Sequence, residues 1–346
     1  MIDWFSFELP YSWDVPIQGG KIVHLKPDGS LDFSHDKTLW LHGSYDSRMS
    51  VVTRRSGFIY VSGNPIKFLQ GHNLFGSDDI LGLVLGVMSR ITELLGLEPT
   101  PEDRAAWLRG DFEFSRVDCT YMYELARFED VGAWLQAASS SSSIKWRGRG
   151  HFQDGTLYFG KVAKGKRASN WQLKLYHKGS EILVPGHQLP SGLPCREELI
   201  SWSRNKLRIE LGLRTGELKR VGLRRASDWV LGSASRVFAD YLAKLEIGED
   251  QMVEIDLEEG LKPRQRSALA LWRSGVDVRT VYDKRSTFYR IRKEIFDAVG
   301  IDIGTPCPSA SNVVKLRRTL EAVPVTVPAW AKPVYYEPPS YPRLVA

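Results

Sequence analysis

Three short runs in this chain alternate apolar and polar side chains residue by residue: Phe114 to Thr120, Trp171 to Lys178 and Lys206 to Leu213. A period of two marks a half-buried strand, so Val117, Leu173, Leu175, Leu207, Ile209 and Leu211 belong to one face. The opposite face then carries Arg116 and Asp118 from the first run, Lys174, Tyr176 and Lys178 from the second, and Arg208 and Glu210 from the third. If the strands share a sheet, two carboxylates, a tyrosine and several cations look the same way. That collection suits metal-assisted attack of a tyrosine hydroxyl on a phosphodiester.

With 346 residues the chain has room for two domains and at least one large core. Its 47 Lys and Arg against 41 Asp and Glu give a modest positive excess, which permits a nucleic-acid partner without requiring one. Cys119, Cys195 and Cys307 stand far apart with no CxxC spacing, against a zinc ribbon or a disulfide framework and in keeping with a reducing cytosol. The opening Met-Ile-Asp-Trp lacks the pattern of a secretory signal. Ile80 to Met88 is too short to span a membrane, and continues at helical spacing into Ile91, Leu94 and Leu95, so a buried helix over 78 to 96 is expected, with Ser77 to Asp79 as its N-cap. No membrane partner is expected.

The first seventy residues read as β-rich, with apolar runs at Leu39 to His42, Met49 to Thr53 and Gly57 to Ser62 between turn signals. A turn-rich stretch, Gly63 to Gly76, follows. Pro99 to Pro101 close the 78 to 96 helix, and a helix near 128 to 138 precedes a serine run, Ser139 to Ser143, which reads as a flexible linker. Beyond it, Lys145, Arg147, Arg149, Lys161, Lys164, Lys166 and Arg167 interleave with Trp146, Phe152, Tyr158, Phe159 and Trp171. Cations match phosphates and rings stack on unpaired bases, so this interval suits single-stranded DNA, although a solvated basic hairpin has the same composition. An acidic stretch at 245 to 262 marks a second boundary. Pro263 to Val299 resembles a helix-turn-helix, with helices over 263 to 273, from Asp277 and from Ser286, the last presenting Arg290, Arg292 and Lys293. After Val323 a Pro-rich tail should run extended and pack over the core. The expected division is 1–245, a nicking and strand-transfer domain, 246–323, a helical DNA-binding domain, and 324–346, the tail.

With these residues in view, the chain resembles the filamentous-phage replication initiators of the gene II/X type. The most specific block is Lys67 to Gly76 (Lys-Phe-Leu-Gln-Gly-His-Asn-Leu-Phe-Gly); Ser115 to Asp118, Leu175 to Lys178 and Leu207 to Glu210 follow in the family's order, and Lys219 to Leu223, Asn312 to Val314 and the tail extend the likeness. More weakly, the strand motifs are similar to rolling-circle plasmid initiators and HUH-type endonucleases. The resemblance implies an α+β fold, an antiparallel sheet with packed helices like an HUH/Rep nickase core, followed by the mainly helical C-terminal domain. It also implies a sequence-specific single-strand endonuclease and strand-transferase that starts rolling-circle replication through a 5′-phosphotyrosine, acting in the cytoplasm of a bacterial host. Its partners would be phage origin DNA, single-stranded DNA, and a host helicase and polymerase; a homo-oligomer is left open. The sequence departs from HUH enzymes in having no His-x-His pair, so carboxylates and Mg²⁺ or Mn²⁺ are the expected metal chemistry.

On this reading Tyr176 is the nucleophile, its phenolate favoured by Lys174 and Lys178, while Lys178 and Arg208 hold the scissile phosphate. Asp118, Glu210 and His72 form the metal set, and Arg147, Arg149, Tyr158, Lys174, Arg290, Arg292 and Lys293 contact DNA. Each role has a plain counterpart: Tyr176 as a packing ring with Tyr158 the competing nucleophile, Asp118 and Glu210 as salt bridges to Arg116 or Arg208, His72 as a satisfied structural histidine. Two other activities stay open: a noncatalytic origin-binding or repressor protein, and a metal-independent tyrosine recombinase. No Gly-x-x-x-x-Gly-Lys-Ser/Thr loop is present, so the chain is not expected to be its own helicase.

Overall fold

The computed structural model describes residues 1–12, 15–145, 148–160, 170–247, 261–274, 276–282, 284–299, 301–304, 316–339 and 341. Its strands are β1 (Ile2–Pro10), β2 (Lys21–Leu25), β3 (Leu31–Asp36), β4 (Leu39–His42), β5 (Arg48–Arg55), β6 (Phe58–Gly63), β7 (Glu113–Glu124), β8 (Ser142–Ile144), β9 (Gly148–Arg149), β10 (His151–Gln153), β11 (Thr156–Phe159), β12 (Trp171–His177), β13 (Lys206–Arg214) and β14 (Leu245–Ile247). The helices are α1 (Pro65–Gln70), α2 (Ile80–Leu95), α3 (Pro101–Arg109), α4 (Phe128–Ser141), α5 (Lys178–Glu181), α6 (Arg196–Ser203), α7 (Thr215–Arg220), α8 (Ser233–Leu242), α9 (Pro263–Arg273), α10 (Arg285–Val299) and α11 (Leu316–Glu321).

Among the described residues nine strands form one sheet in the order β10-β11-β12-β13-β7-β1-β6-β5-β4, every neighbouring pair antiparallel. The fold is α+β. The three alternating runs are β7, β12 and β13, adjacent in the sheet, and their apolar sets lie fully buried with Phe5 and Phe7 of β1, Val61 of β6, Leu83, Val84, Val87 and Ile91 of α2, and Val131, Trp134 and Leu135 of α4. Helices therefore cover one face. The polar residues are left on the other.

Local chemistry sets the helix boundaries. Asp79 caps α2 through the Gly82 amide, and Gly96 closes it in the left-handed region at φ 61°. Pro99 to Pro101 do more than end that element: Thr100 and Asp103 form a capping box, Pro101 takes the first turn, and α3 starts there. The serine run is not a linker. Ser139 to Ser141 complete α4, their hydroxyls bonding back to the carbonyls of Gln136 and Ala137, and Ser142 and Ser143 continue as β8, paired with β14. Each hydroxyl finds a backbone acceptor one turn earlier, which lets the helix tolerate residues of weak propensity.

The 263–299 region has its own core, built on Leu269, Trp272, Phe288, Ile291 and Ile295. In place of the second helix expected from Asp277 stands a single 3-10 turn, Val278–Thr280, which Asp277 caps. The tail packs on the core as the expected arm, but it does not run extended throughout: Ala329–Val334 form a 3-10 helix. Val325 pairs with the Met122 carbonyl, the Tyr336 amide bonds Gln70 Oε1, and Ala331 and Val334 share a cluster with Leu74, Phe75 and Leu199. Trp146, Arg147, 161–169, Met252 and most of the acidic stretch, Cys307 and Asn312 to Val314 lie outside the described residues.

Candidate active site

Register brings the sequence candidates together on the opposite face, which the 72–76 turn, α5, α6 and the tail partly cover. Tyr176 stands opposite Arg208 and Lys174 opposite Glu210 across β12 and β13, while Glu210 faces Thr120, and Gly212 faces Asp118, across β13 and β7. Gly212 makes room: a Cβ there would come within 3.2 Å of Asp118 Oδ1. Tyr158 sits opposite Lys174 on β11, so both tyrosines share this face as diagonal neighbours.

The Tyr176 hydroxyl donates to Glu210 Oε1 at 2.6 Å. Arg208 Nε donates to the same oxygen at 3.2 Å, and Lys174 Nζ reaches Oε2 at 3.3 Å. Arg208 is 0 % exposed; it also pairs with Asp3 Oδ1 at 2.7 Å and donates to the Asn73 carbonyl. Asp118 is held by Arg116 instead, with Nε 2.9 Å from Oδ1. Lys178 opens α5 just beyond β12. Its ammonium lies buried between Glu181, at 2.5 Å, and Asn73 Oδ1, at 3.3 Å.

Sequence reasoning missed Asp3, which enters from β1. Its Oδ1 accepts from the side-chain amides of Asn64 and Asn73, each at 2.8 Å, and is ion-paired with Arg208. Asn73 lies within the Lys67 to Gly76 block and Asn64 just ahead of it. Asn64 caps α1 through the Lys67 amide, and Gly71 ends α1 at φ 89° where a Cβ would strike the Tyr45 ring. That turn is what sets Asn73 over Arg208. The available signal for Asp3 was a carboxylate within an apolar-aromatic stretch, Ile2 to Phe7.

Electrostatics follow from this burial. Burial alone would raise Asp3, but Arg208, Asn73, Lys178 and Asn64 together hold its carboxyl well below the usual range. Asp118 goes the other way, because burial outweighs Arg116. Burial also raises the Tyr176 phenol well above 10, against the help of Arg208 and reinforced by Glu210 and Glu181. The expected phenolate is thus not favoured in this state: Lys174 and Lys178 are engaged by Glu210 and Glu181 rather than by the tyrosine oxygen. Lys178 is pushed down to about 8 by burial and by Arg208, partly offset by Glu181. Arg208 and Lys178, expected at the scissile phosphate, are sealed from solvent and organise the carboxylates; Arg116 and Lys174, with side chains 29% and 27% exposed, are the open cations.

His72 does not join the carboxylates. Its Nε2 donates to the Val334 carbonyl at 2.9 Å and its Nδ1 accepts from the Leu74 amide at 3.3 Å, so both ring nitrogens are used by backbone. Among the described residues no three His, Cys, Asp or Glu groups stand together as a metal cage. Asp118 and Glu210 carry oxygen donors of the kind Mg²⁺ takes, but here each is paired with cations, Asp118 with Arg116 and Glu210 with Arg208 and Lys174.

The expected DNA contacts disperse. Arg149 is exposed on β9, Arg290 and Lys293 are exposed on α10, and Arg292 is tied to Asp302 at 2.5 Å.

Two family models cover nearly the whole chain: the N-terminal model of the phage replication-associated protein, the gene II product, matches residues 1–232, and its C-terminal counterpart matches 262–340. The chain belongs to this replication-associated protein family, the filamentous-phage replication initiators. A replication-associated protein of Enterobacteria phage I2-2 is 35% identical over 339 residues, 95% of this chain and 96% of the relative. No solved structure matches. The boundary between the two family models, between 232 and 262, falls just before α9. No helix among the described residues is long and apolar enough to cross a membrane.

Proposed function

We propose that this chain is a sequence-specific single-strand DNA endonuclease and strand-transferase that initiates rolling-circle replication at a phage origin, with Tyr176 as the nucleophile. The observation that carries this reading is the 2.6 Å hydrogen bond from the Tyr176 hydroxyl to Glu210, a carboxylate oriented by buried Arg208 and open Lys174. A phenol held above its ordinary pKa stays protonated until it reacts, and Glu210 is placed to take the proton as it does. The phenolic oxygen attacks phosphorus, the bond from phosphorus to the 3′ oxygen breaks, and that oxygen leaves with the bonding pair and takes a proton from water to become a free 3′-OH. The DNA remains joined to the protein as a 5′-phosphotyrosine. Reversal by a 3′-OH rejoins the strand without ATP, which is strand transfer.

Arg208, Lys178, Asp3 and Asn73 hold Glu210 and its surroundings in place; Lys174 and Arg116 are the cations available to the phosphate. Mg²⁺ or Mn²⁺ belongs to the proposal through Asp118 and Glu210, and would screen negative charge growing on the phosphate. Host helicase and polymerase would use the 3′ end.

The experiment is to incubate the chain with supercoiled origin DNA and identify the adducted peptide by mass spectrometry. Adduct is expected at Tyr176, absent in Tyr176→Phe, and reduced at least about a hundredfold in Glu210→Gln, with origin binding retained in both. Tyr158→Phe should still cleave. Adduct that survives in Tyr176→Phe and vanishes in Tyr158→Phe would transfer the role to β11.

A further inference from the structure

The same sheet face continues away from Tyr176 across β1, β6 and β5, and nothing in the reaction uses it. Cross-strand register aligns Ser50 with Ser62 and Ser62 with Ser6, so three small hydroxyl residues form a row running across the strands. Arg116 stands opposite Ser6 at one end of the row, and Trp40, 52% exposed, stands opposite Ser50 at the other. Larger rings rise beside this low floor. Trp4 is fixed by its Nε1, 3.3 Å from both Ser6 Oγ and Ser62 Oγ, and the two hydroxyls are 2.6 Å apart. Each of two half-buried rings carries a guanidinium: Arg116 lies 5.0 Å from the Trp4 centroid, and exposed Arg54 lies 3.4 Å from that of Tyr60.

We propose that this half of the sheet is a binding track for single-stranded DNA, in which the serine row is the floor, Trp4 and Tyr60 with their arginines stack unpaired bases, and Arg54 and Arg116 meet the backbone. Rings stack on any base while cations match the phosphates, a combination suited to unpaired rather than duplex DNA. The track is continuous with the reaction centre, because Trp4 is the direct cross-strand partner of Asp118. Tyr60 on β6 is four strands from Tyr176 on β12, roughly 19 Å at about 4.8 Å per strand. The proposal rests on the nickase reading only for why DNA should lead to Tyr176. It directs one flank of the cleaved strand over β1 and β6, away from the basic interval around Lys145 to Tyr158 that composition alone favours.

The test uses the full chain carrying Tyr176→Phe, so that cleavage does not intervene, and a fluorescein-labelled oligothymidylate read by anisotropy. Trp4→Ala, Tyr60→Ala and Arg54→Ala should each weaken single-strand binding by about fivefold to a hundredfold, with duplex-origin affinity unchanged, while Tyr60→Phe keeps its ring and its affinity. An iodouracil-substituted oligonucleotide should crosslink to Trp4 or Tyr60. Arg54 is exposed, so its variant decides the matter even if a strand variant fails to fold. Unchanged affinity in Arg54→Ala and Tyr60→Ala, or crosslinks confined to residues 145–169, would overturn the track while leaving Tyr176 adduct formation intact. Adduct at another tyrosine would overturn the nucleophile instead, and the anisotropy result would stand on its own.

Discussion

Arg208 shows how this site is held. A fully buried guanidinium is tolerable only with its charge matched, and here Asp3 and Glu210 match it from two different strands. His72 and His177 are the opposite case, buried groups kept neutral. Burial pushes each down to about 4, outweighing hydrogen bonds to the Val334 and Arg204 carbonyls. An unfolded histidine takes its proton near 6.5, before the folded one does, so the stability these residues contribute is complete above that pH and is lost as pH falls toward 4. Urea denaturation should therefore show a loss on the order of 2 kcal/mol per histidine between pH 7 and pH 5, smaller in His72→Gln or His177→Gln. A wild-type stability that is flat over that window would refute the assignment.

At the scale of elements, α10 separates two kinds of basic residue. Arg290 and Lys293 are exposed, whereas Arg292 is committed to Asp302. If α10 meets origin DNA, Arg290→Ala and Lys293→Ala should weaken binding and each lower the salt slope by about 1. Arg292→Ala should mainly reduce stability, by about 1 kcal/mol, seen as a lower melting temperature. Unchanged origin affinity and salt slope in both exposed variants would return 263–299 to a plain helical unit. The serine run teaches the complementary lesson: low helix propensity did not make a linker, because α4 supplied carbonyls for the hydroxyls and β14 supplied a partner strand.

For the molecule as a whole, the tail, the Lys67 to Gly76 turn and the sheet form one construction around the carboxylates. Any metal would have to be held by groups from separate strands, Asp118 of β7 and Glu210 of β13. Nicking of origin DNA should stop in EDTA and return with Mg²⁺ or Mn²⁺, and Asp118→Asn should remove it while duplex binding persists. Full nicking in EDTA would leave the carboxylates with proton transfer and charge pairing alone.

The alternation in β7, β12 and β13 already determined which side chains share a face, because a strand's period is a local property of the backbone. Tyr176, Lys174, Arg208, Glu210 and Asp118 were legible for that reason, as were α2 and its cap. Strand order was not local, and so neither was Asp3, which reaches Arg208 only because β1 lies beside β7. The state of each charge was likewise decided in three dimensions. Sequence placed two lysines near Tyr176; packing assigned them to Glu210 and Glu181 and left the tyrosine half-buried, its phenol bonded to Glu210. His72 looked like a ligand beside a glycine turn until a carbonyl 262 residues away, at Val334, took its Nε2. Side-chain type and spacing are written in the chain, but partners and solvation are set by contacts that exist only once distant segments meet.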